Sequence, residues 1–133
     1  MKRKEDIGPE CYDLLKDLYV FQFEMHKSER IAIGNNIFQD ATRVLGLFMT
    51  SYKIGTDKHE LSDKIKTINE MMAVFSGLVA QIRIAIDLKL YKSDLAKNKI
   101  KEHIAIIDEG MQKWRSYVSA LRQERYLNDS VSP

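Results

Sequence analysis

Residues 61–86 read LSDKIKTINEMMAVFSGLVAQIRIAI. Leu61, Ile65, Ile68, Met72, Phe75, Val79, Ile82 and Ile86 recur at alternating steps of four and three. An apolar position every 3.5 residues lies along one side of a helix and suits lengthwise packing on neighbouring helices. Strict alternation of apolar and polar residues, the mark of a half-buried strand, is absent.

The same reading extends outward. Ile100, Ile104, Ile107, Met111, Trp114, Val118 and Leu121 repeat the four–three rhythm, behind a start signal at Ser93-Asp94. A first helix is expected from Pro9 to Met25, because proline suits a first helical turn. Its stripe is Cys11, Leu14, Leu18, Phe21 and Met25, with Tyr12, Leu15, Tyr19 and Phe23 beside it. A second is expected from Glu29 to Tyr52, with Ser28 as its N-cap and Glu29 at the positive end of its dipole. Gly55 reads as a stop, and Asp57 with Glu60 as a capping box for the third helix, which should end near Leu90. Only Pro9 and Pro133 break the chain, both outside the central body. Short loops make consecutive helices antiparallel neighbours. The expected fold is all-α, an antiparallel up-down-up-down four-helix bundle over residues 9–125. A flexible basic N-terminus (1–8) and a polar, frayed C-terminal tail (126–133) flank it. The alternative is a three-helix bundle with a loosely attached first helix.

At 133 residues the chain is the size of one domain. Folding at this size buries roughly two-thirds of the unfolded surface, so no disulfide or metal staple is needed. One cysteine, Cys11, cannot form an internal disulfide and fits a reducing compartment. Met1-Lys2-Arg3-Lys4-Glu5-Asp6 carries charge with no apolar run behind it, so no secretion signal is expected. No stretch approaches the ~18 apolar residues of a membrane span. Cytoplasmic localisation without membrane contact is the expectation.

Catalytic patterns are missing. A di-metal bundle site needs Glu-x-x-His, and Phe23, Thr56 and Ile100 stand three places before the histidines. His59-Glu60 lacks the second histidine of a zinc-protease helix. Asp108 and Glu109 are adjacent and point apart on a helix. Cys11 lies on the apolar stripe, as an inert core thiol would. Gly34, Gly46, Gly77 and Gly110 are single helical glycines, each costing about 1 kcal/mol against alanine; close helix approach is the expected compensation. No enzyme activity, cofactor or metal is expected.

Basic side chains remain. The chain has 21 basic and 19 acidic residues and a net charge of +2, so a polyanion partner would need local clustering. Two zones offer it: Lys27 and Arg30 at the first interhelix hinge, and Lys113, Arg115, Arg122 and Arg125 in the last helix. Lys89 and Lys92 should join the first zone, and the start of helix one should lie near the second. No exposed aromatic platform for bases is legible. Arg83 sits among apolar residues and can pair with Asp87 four positions on, or cross to a neighbour. Helix three carries a second apolar row, Met71, Val74, Leu78, Ala85 and Leu88, and helix two adds Phe38, Leu45 and Met49. These rows read either as a wide core face or as a subunit interface, with the interface preferred.

The segment KSERIAIGNNI, with Lys27, Ser28, Arg30, Ile33, Gly34 and Ile37, resembles the start of helix two in a bacterial four-helix-bundle superfamily. That superfamily includes proteins encoded in intervening sequences of large-subunit ribosomal RNA genes. It also includes the accessory variability determinant proteins of diversity-generating retroelements. Arg83, Asp87, Leu88, Lys89 and Leu90 resemble the accessory group's third-helix ending, and Glu109, Met111 and Trp114 its last-helix pattern. Gln112 and Lys113 stand where that pattern has two glycines.

The resemblance implies a homopentameric ring of bundles that binds RNA or DNA and a reverse transcriptase in mutagenic retrohoming. Lys27, Arg30, Lys113, Arg115, Arg122 and Arg125 are the expected nucleic-acid contacts; Arg83, Asp87 and Trp114 are the expected structural or interface residues. The other expectation is an intervening-sequence-type protein-interaction scaffold that binds no nucleic acid.

Overall fold

A computed structural model describes residues 7–131, with side chains to Asn128; the basic segment before Ile7 and the last two residues lie outside it. The described chain is helical, with no strand. Helix α1 spans Gly8–Phe21 and closes in a 3₁₀ turn, Gln22–Glu24. Helix α2 covers residues 27–53: an α turn Lys27–Glu29, a π-type stretch Arg30–Gly34, and the α-helix Asn35–Lys53. Helix α3 spans Leu61–Asp87, and α4 spans Asp94–Val131. α1 packs on α2 and α4, and α3 packs on α2 and α4, so the four form the expected square bundle.

The core follows the seams with one shift. Leu61, Ile65, Ile68, Phe75 and Ile82 are buried as expected. Between them Met71, Leu78 and Ala85 are fully enclosed, while Met72, Val79 and Ile86 are half-buried. Each pair is adjacent, about 100° apart on the helix, and α3 faces both α2 and α4. The row read as a subunit interface is therefore mostly the wide core face. Of those residues Leu88 and Met49 are exposed, and Val74, Phe38 and Leu45 are half-buried.

Helix ends differ from the sequence reading for local reasons. The cap of α2 is His26, not Ser28: Glu29 reaches back to accept the His26 N–H at 2.8 Å, and Ser28 is exposed in the first turn. The Asp57–Glu60 capping box does not form: the Glu60 carboxylate accepts the Gly55 N–H at 3.0 Å, and Glu60 meets Asp57 only through its backbone N–H on Asp57 O at 2.8 Å. A Cβ on Gly55 would stand 2.6 Å from that carboxylate, so a larger residue there would displace the Glu60 side chain from its bond. At the end of α3, Leu90 N–H bonds to Ala85 O and Lys89 N–H to Ile86 O, a Schellman closure. Its left-handed residue is Lys89, at φ 61°. Ser93 caps α4 as expected, its Oγ accepting the Ala96 N–H at 3.0 Å. α4 continues through Tyr126 to Val131, where the sequence reading ends it near Arg125.

The 38 residues of α4 span roughly 57 Å, far beyond the 14 residues of α1. Its second half lies against the end of α2 and the start of α3, where Trp114 is buried with its ring 5.4 Å from Phe48. The end of α4 meets the 54–60 loop, with Lys58 Nζ 5.9 Å from the Tyr126 ring centre, rather than the start of α1. The glycine expectation also fails at three positions. A Cβ on Gly46 or Gly77 meets nothing within 4 Å, and on Gly34 only ordinary contacts.

Candidate polyanion and partner surfaces

The end of the bundle that carries the α1–α2 hinge is held by Glu24. Its Oε1 accepts the N–H groups of Lys92 and Ser93, each at 2.7 Å, and its Oε2 accepts the Ser93 hydroxyl at 2.6 Å. These bonds bring the 88–93 loop beside the hinge, so Lys27, Arg30, Lys89 and Lys92 share one end as expected. Burial raises the Glu24 carboxyl, but the Ser93 and Lys92 bonds and the Lys92 charge outweigh it, and the net shift is downward. Glu29 is used by His26, and Asp94 is paired with Lys97 at 3.3 Å. Lys27, Lys89 and Lys92 are exposed, and among the described residues their ammonium groups make no hydrogen bond or ion pair. Asp87 is the one acid of this end left in the same condition.

Arg30 serves the hinge itself. Its Nη1 donates to Met25 O at 2.9 Å, and its guanidinium lies 5.2 Å from the Phe23 ring centre. That closes the carbonyl left open where the chain turns between α1 and α2, and it leaves the other N–H donors of the fork unused.

The second basic zone is dispersed. Lys113 is held by Glu109 on its own helix at 2.6 Å, which lowers the Glu109 carboxyl. Arg115 donates to Asn69 of α3 at 2.6 Å. Positions 113 and 115 are about 160° apart around the helix. Arg122, two turns beyond Arg115 on one face, stacks on Tyr126 at 5.6 Å. Arg125 is half-buried, with its Nε enclosed and unbonded. The structure therefore does not bring the six expected basic residues onto one surface. Arg83 and Asp87, read as able to pair with each other or to reach a neighbour, make no hydrogen bond or ion pair among the described residues; Arg83 lines the α3–α4 groove.

Three features escaped the sequence reading. Tyr12, Tyr19 and Phe23, exposed by half or more, form a ridge on α1. Tyr19 contacts Phe23 edge-on at 5.6 Å and Phe38 of α2 at 5.8 Å, and Lys16 lies over Tyr12 at 5.4 Å. The sequence reading sets all three beside the core stripe, and their spacing of seven and four is what places them on a face of their own. His103 of α4 is held between two α1 carboxylates, with Nδ1 2.6 Å from Glu10 Oε2 and Nε2 2.7 Å from Asp17 Oδ2. Lys64 of α3 is buried, and its ammonium donates to Ser51 O at 2.8 Å and Ile54 O at 2.6 Å, closing the end of α2. Cys11 is buried and its thiol is pushed up to about 12, first by burial and then by Glu10, so it stays protonated at neutral pH. Among the described residues no cluster of three or more His, Cys, Asp or Glu has the arrangement to hold a metal ion, and no helix is long and apolar enough to cross a membrane. Scans of the chain against protein-family models, curated proteins and solved structures find no match.

Proposed function

We propose that this chain is a non-enzymatic, nucleic-acid-binding accessory protein that works as a ring, of five copies by the resemblance, beside a reverse transcriptase. The observation that carries the nucleic-acid part is the charge arrangement at the hinge end. There the carboxylates of Glu24, Glu29 and Asp94 are fixed by bonds within the fold, while the ammonium groups of Lys27, Lys89 and Lys92 are exposed and make no hydrogen bond or ion pair among the described residues; Asp87 is the one acid equally unbonded. Cations left over on one face attract phosphates without reading sequence. Arg30 adds spare donors to that face. Arg115 and Arg122 form a smaller second contact at the far end. The exposed ridge of Tyr12, Tyr19 and Phe23 offers apolar surface for subunit contact.

The test is RNA binding by fluorescence anisotropy at two salt concentrations, with solution mass by light scattering. Replacing Lys27, Lys89 and Lys92 together by glutamate should weaken binding strongly and flatten the salt dependence by roughly two to three units of log–log slope. The Lys113→Glu variant should change little. Wild-type protein that ignores RNA at low salt would overturn the nucleic-acid reading.

The near balance of charge, +2 overall, favours a second reading, a ring-forming protein scaffold with no nucleic-acid partner. It is distinguished by the same experiment: an assembled mass without RNA uptake.

A further inference from the structure

On the side of the bundle opposite the aromatic ridge, α3 and α4 part to leave a groove of about 570 Å³. Val79, Ile82 and Ile86 of α3 and Ile104 of α4 form an apolar floor. Ile82 is fully buried, whereas the other three are only half-covered by their own chain. Arg83 stands on one edge and Lys101 on the other. Neither makes a hydrogen bond or ion pair among the described residues. Asp108, also on the edge, accepts from Gln112 at 3.1 Å. Asp108 keeps its charge in that bond, so the trough carries two positive charges and one negative charge along its edges, a net excess of one positive charge.

We propose that the groove receives an amphipathic helix of a partner protein, which lays aliphatic side chains on the floor and sets carboxylates against Arg83 and Lys101. The dimensions fit. Val79 to Ile86 covers about 10.5 Å, two helical turns. That length matches anchors at i, i+3 or i+4, and i+7 of a helix lying in a groove. A two-walled trough covers one side of its occupant, which suits a helix whose far face is polar better than a small ligand that needs enclosure on most sides. A second copy would bring the same net positive charge to this face, whereas an acidic sequence complements both Arg83 and Lys101. This contact is independent of nucleic acid.

The probe is a labelled synthetic helix with leucines at i, i+3, i+4 and i+7 flanked by glutamates, and a twin with lysines in place of the glutamates. The acidic helix should bind saturably, and the basic twin about tenfold more weakly or worse. Changing Arg83→Glu and Lys101→Glu together should invert that preference. Ala105 is an exposed small residue lining the groove, so Ala105→Trp should fill the trough and abolish binding of both probes at unchanged helicity and melting temperature. Failure of both probes to saturate would overturn the proposal, as would a preference that ignores the Arg83 and Lys101 reversals. A fall in solution mass caused by Ala105→Trp would also overturn it, because the groove would then be a contact between copies of this chain.

Discussion

Glu24 caps helix α4 through Ser93, a residue 69 positions away, with one carboxylate oxygen on the Ser93 N–H at 2.7 Å and the other on its hydroxyl at 2.6 Å. Ser93 Oγ in turn accepts the Ala96 N–H. The α1–α2 hinge and the start of α4 are therefore one hydrogen-bonded unit, and the position of the 88–93 loop depends on a charge in a different connection.

Glu24→Gln should destabilise the bundle by about 1–2 kcal/mol, because an amide cannot accept at both ends. The carboxyl is shifted downward in the fold, so its contribution is complete above the ordinary carboxyl pKa of the unfolded chain. It is lost as the pH falls through the lower folded value. Urea midpoints measured from pH 7 down to about pH 3 should fall for the wild type and fall less for Glu24→Gln. Parallel curves would show that the acid limb belongs to other carboxylates.

His103 reverses that sign. Burial lowers its pKa, but the bonds and charges of Glu10 and Asp17 outweigh it, and the net shift is upward. With both ring nitrogens facing carboxylates, the imidazolium fits this site better than either neutral tautomer. Its stabilising effect is complete below the unfolded histidine value of about 6.5 and is lost as the pH rises through the folded value. His103→Gln should lower stability by on the order of 2 kcal/mol at pH 6, and by less as the pH rises. Thermal melts of both proteins across that window supply the comparison. A pH-independent gap would mean that the ring packs here without its charge.

How legible the fold was, and how opaque the surfaces were, follows from sequence distance. The seams from Leu61 to Ile86 and from Ile100 to Leu121, with Ser93 as a start signal, are local patterns, and they suffice for four antiparallel helices. The end of α3, expected near Leu90, falls at Asp87, and the left-handed position that closes it is taken by Lys89 where glycine is usual. The partners of His103 lie 86 and 93 residues away on another helix, so a search for Glu-x-x-His on its own helix could not find them. Apolar rows separate into core and surface only when neighbouring helices are in place. Met71 and Leu78 went inside, while Tyr12 and Phe23, which looked the same, stayed out.

Gly46 and Gly77 are helical, exposed and without neighbours within 4 Å of an added Cβ. Alanine at either site should stabilise the fold by about 0.5–1 kcal/mol, through helix propensity and a less disordered unfolded chain. Differential scanning calorimetry of the two single variants checks this. A loss of stability at either site, together with a smaller solution mass, would mark that glycine as covered by another subunit.

Lys64 is the sharpest contest between two terms. Its ammonium closes the end of α2 on Ser51 O and Ile54 O, with Tyr52 O at 3.5 Å, and it lies 5.4 Å from the Trp114 ring centre. Burial pulls its pKa down, and the Glu60 charge only partly opposes this. If the bonds outweigh the desolvation, Lys64→Met keeps the stem, removes the ammonium donor from those carbonyls and costs about 1–3 kcal/mol. If desolvation outweighs the bonds, methionine in the same space leaves stability unchanged or raises it. We expect the first result, because the ammonium makes two short bonds there, one to Ile54 O and one to Ser51 O, which also accepts the Ile54 N–H. Trp114, the one tryptophan of the chain, reports the outcome directly: the urea midpoint of its fluorescence should fall in Lys64→Met with the slope unchanged.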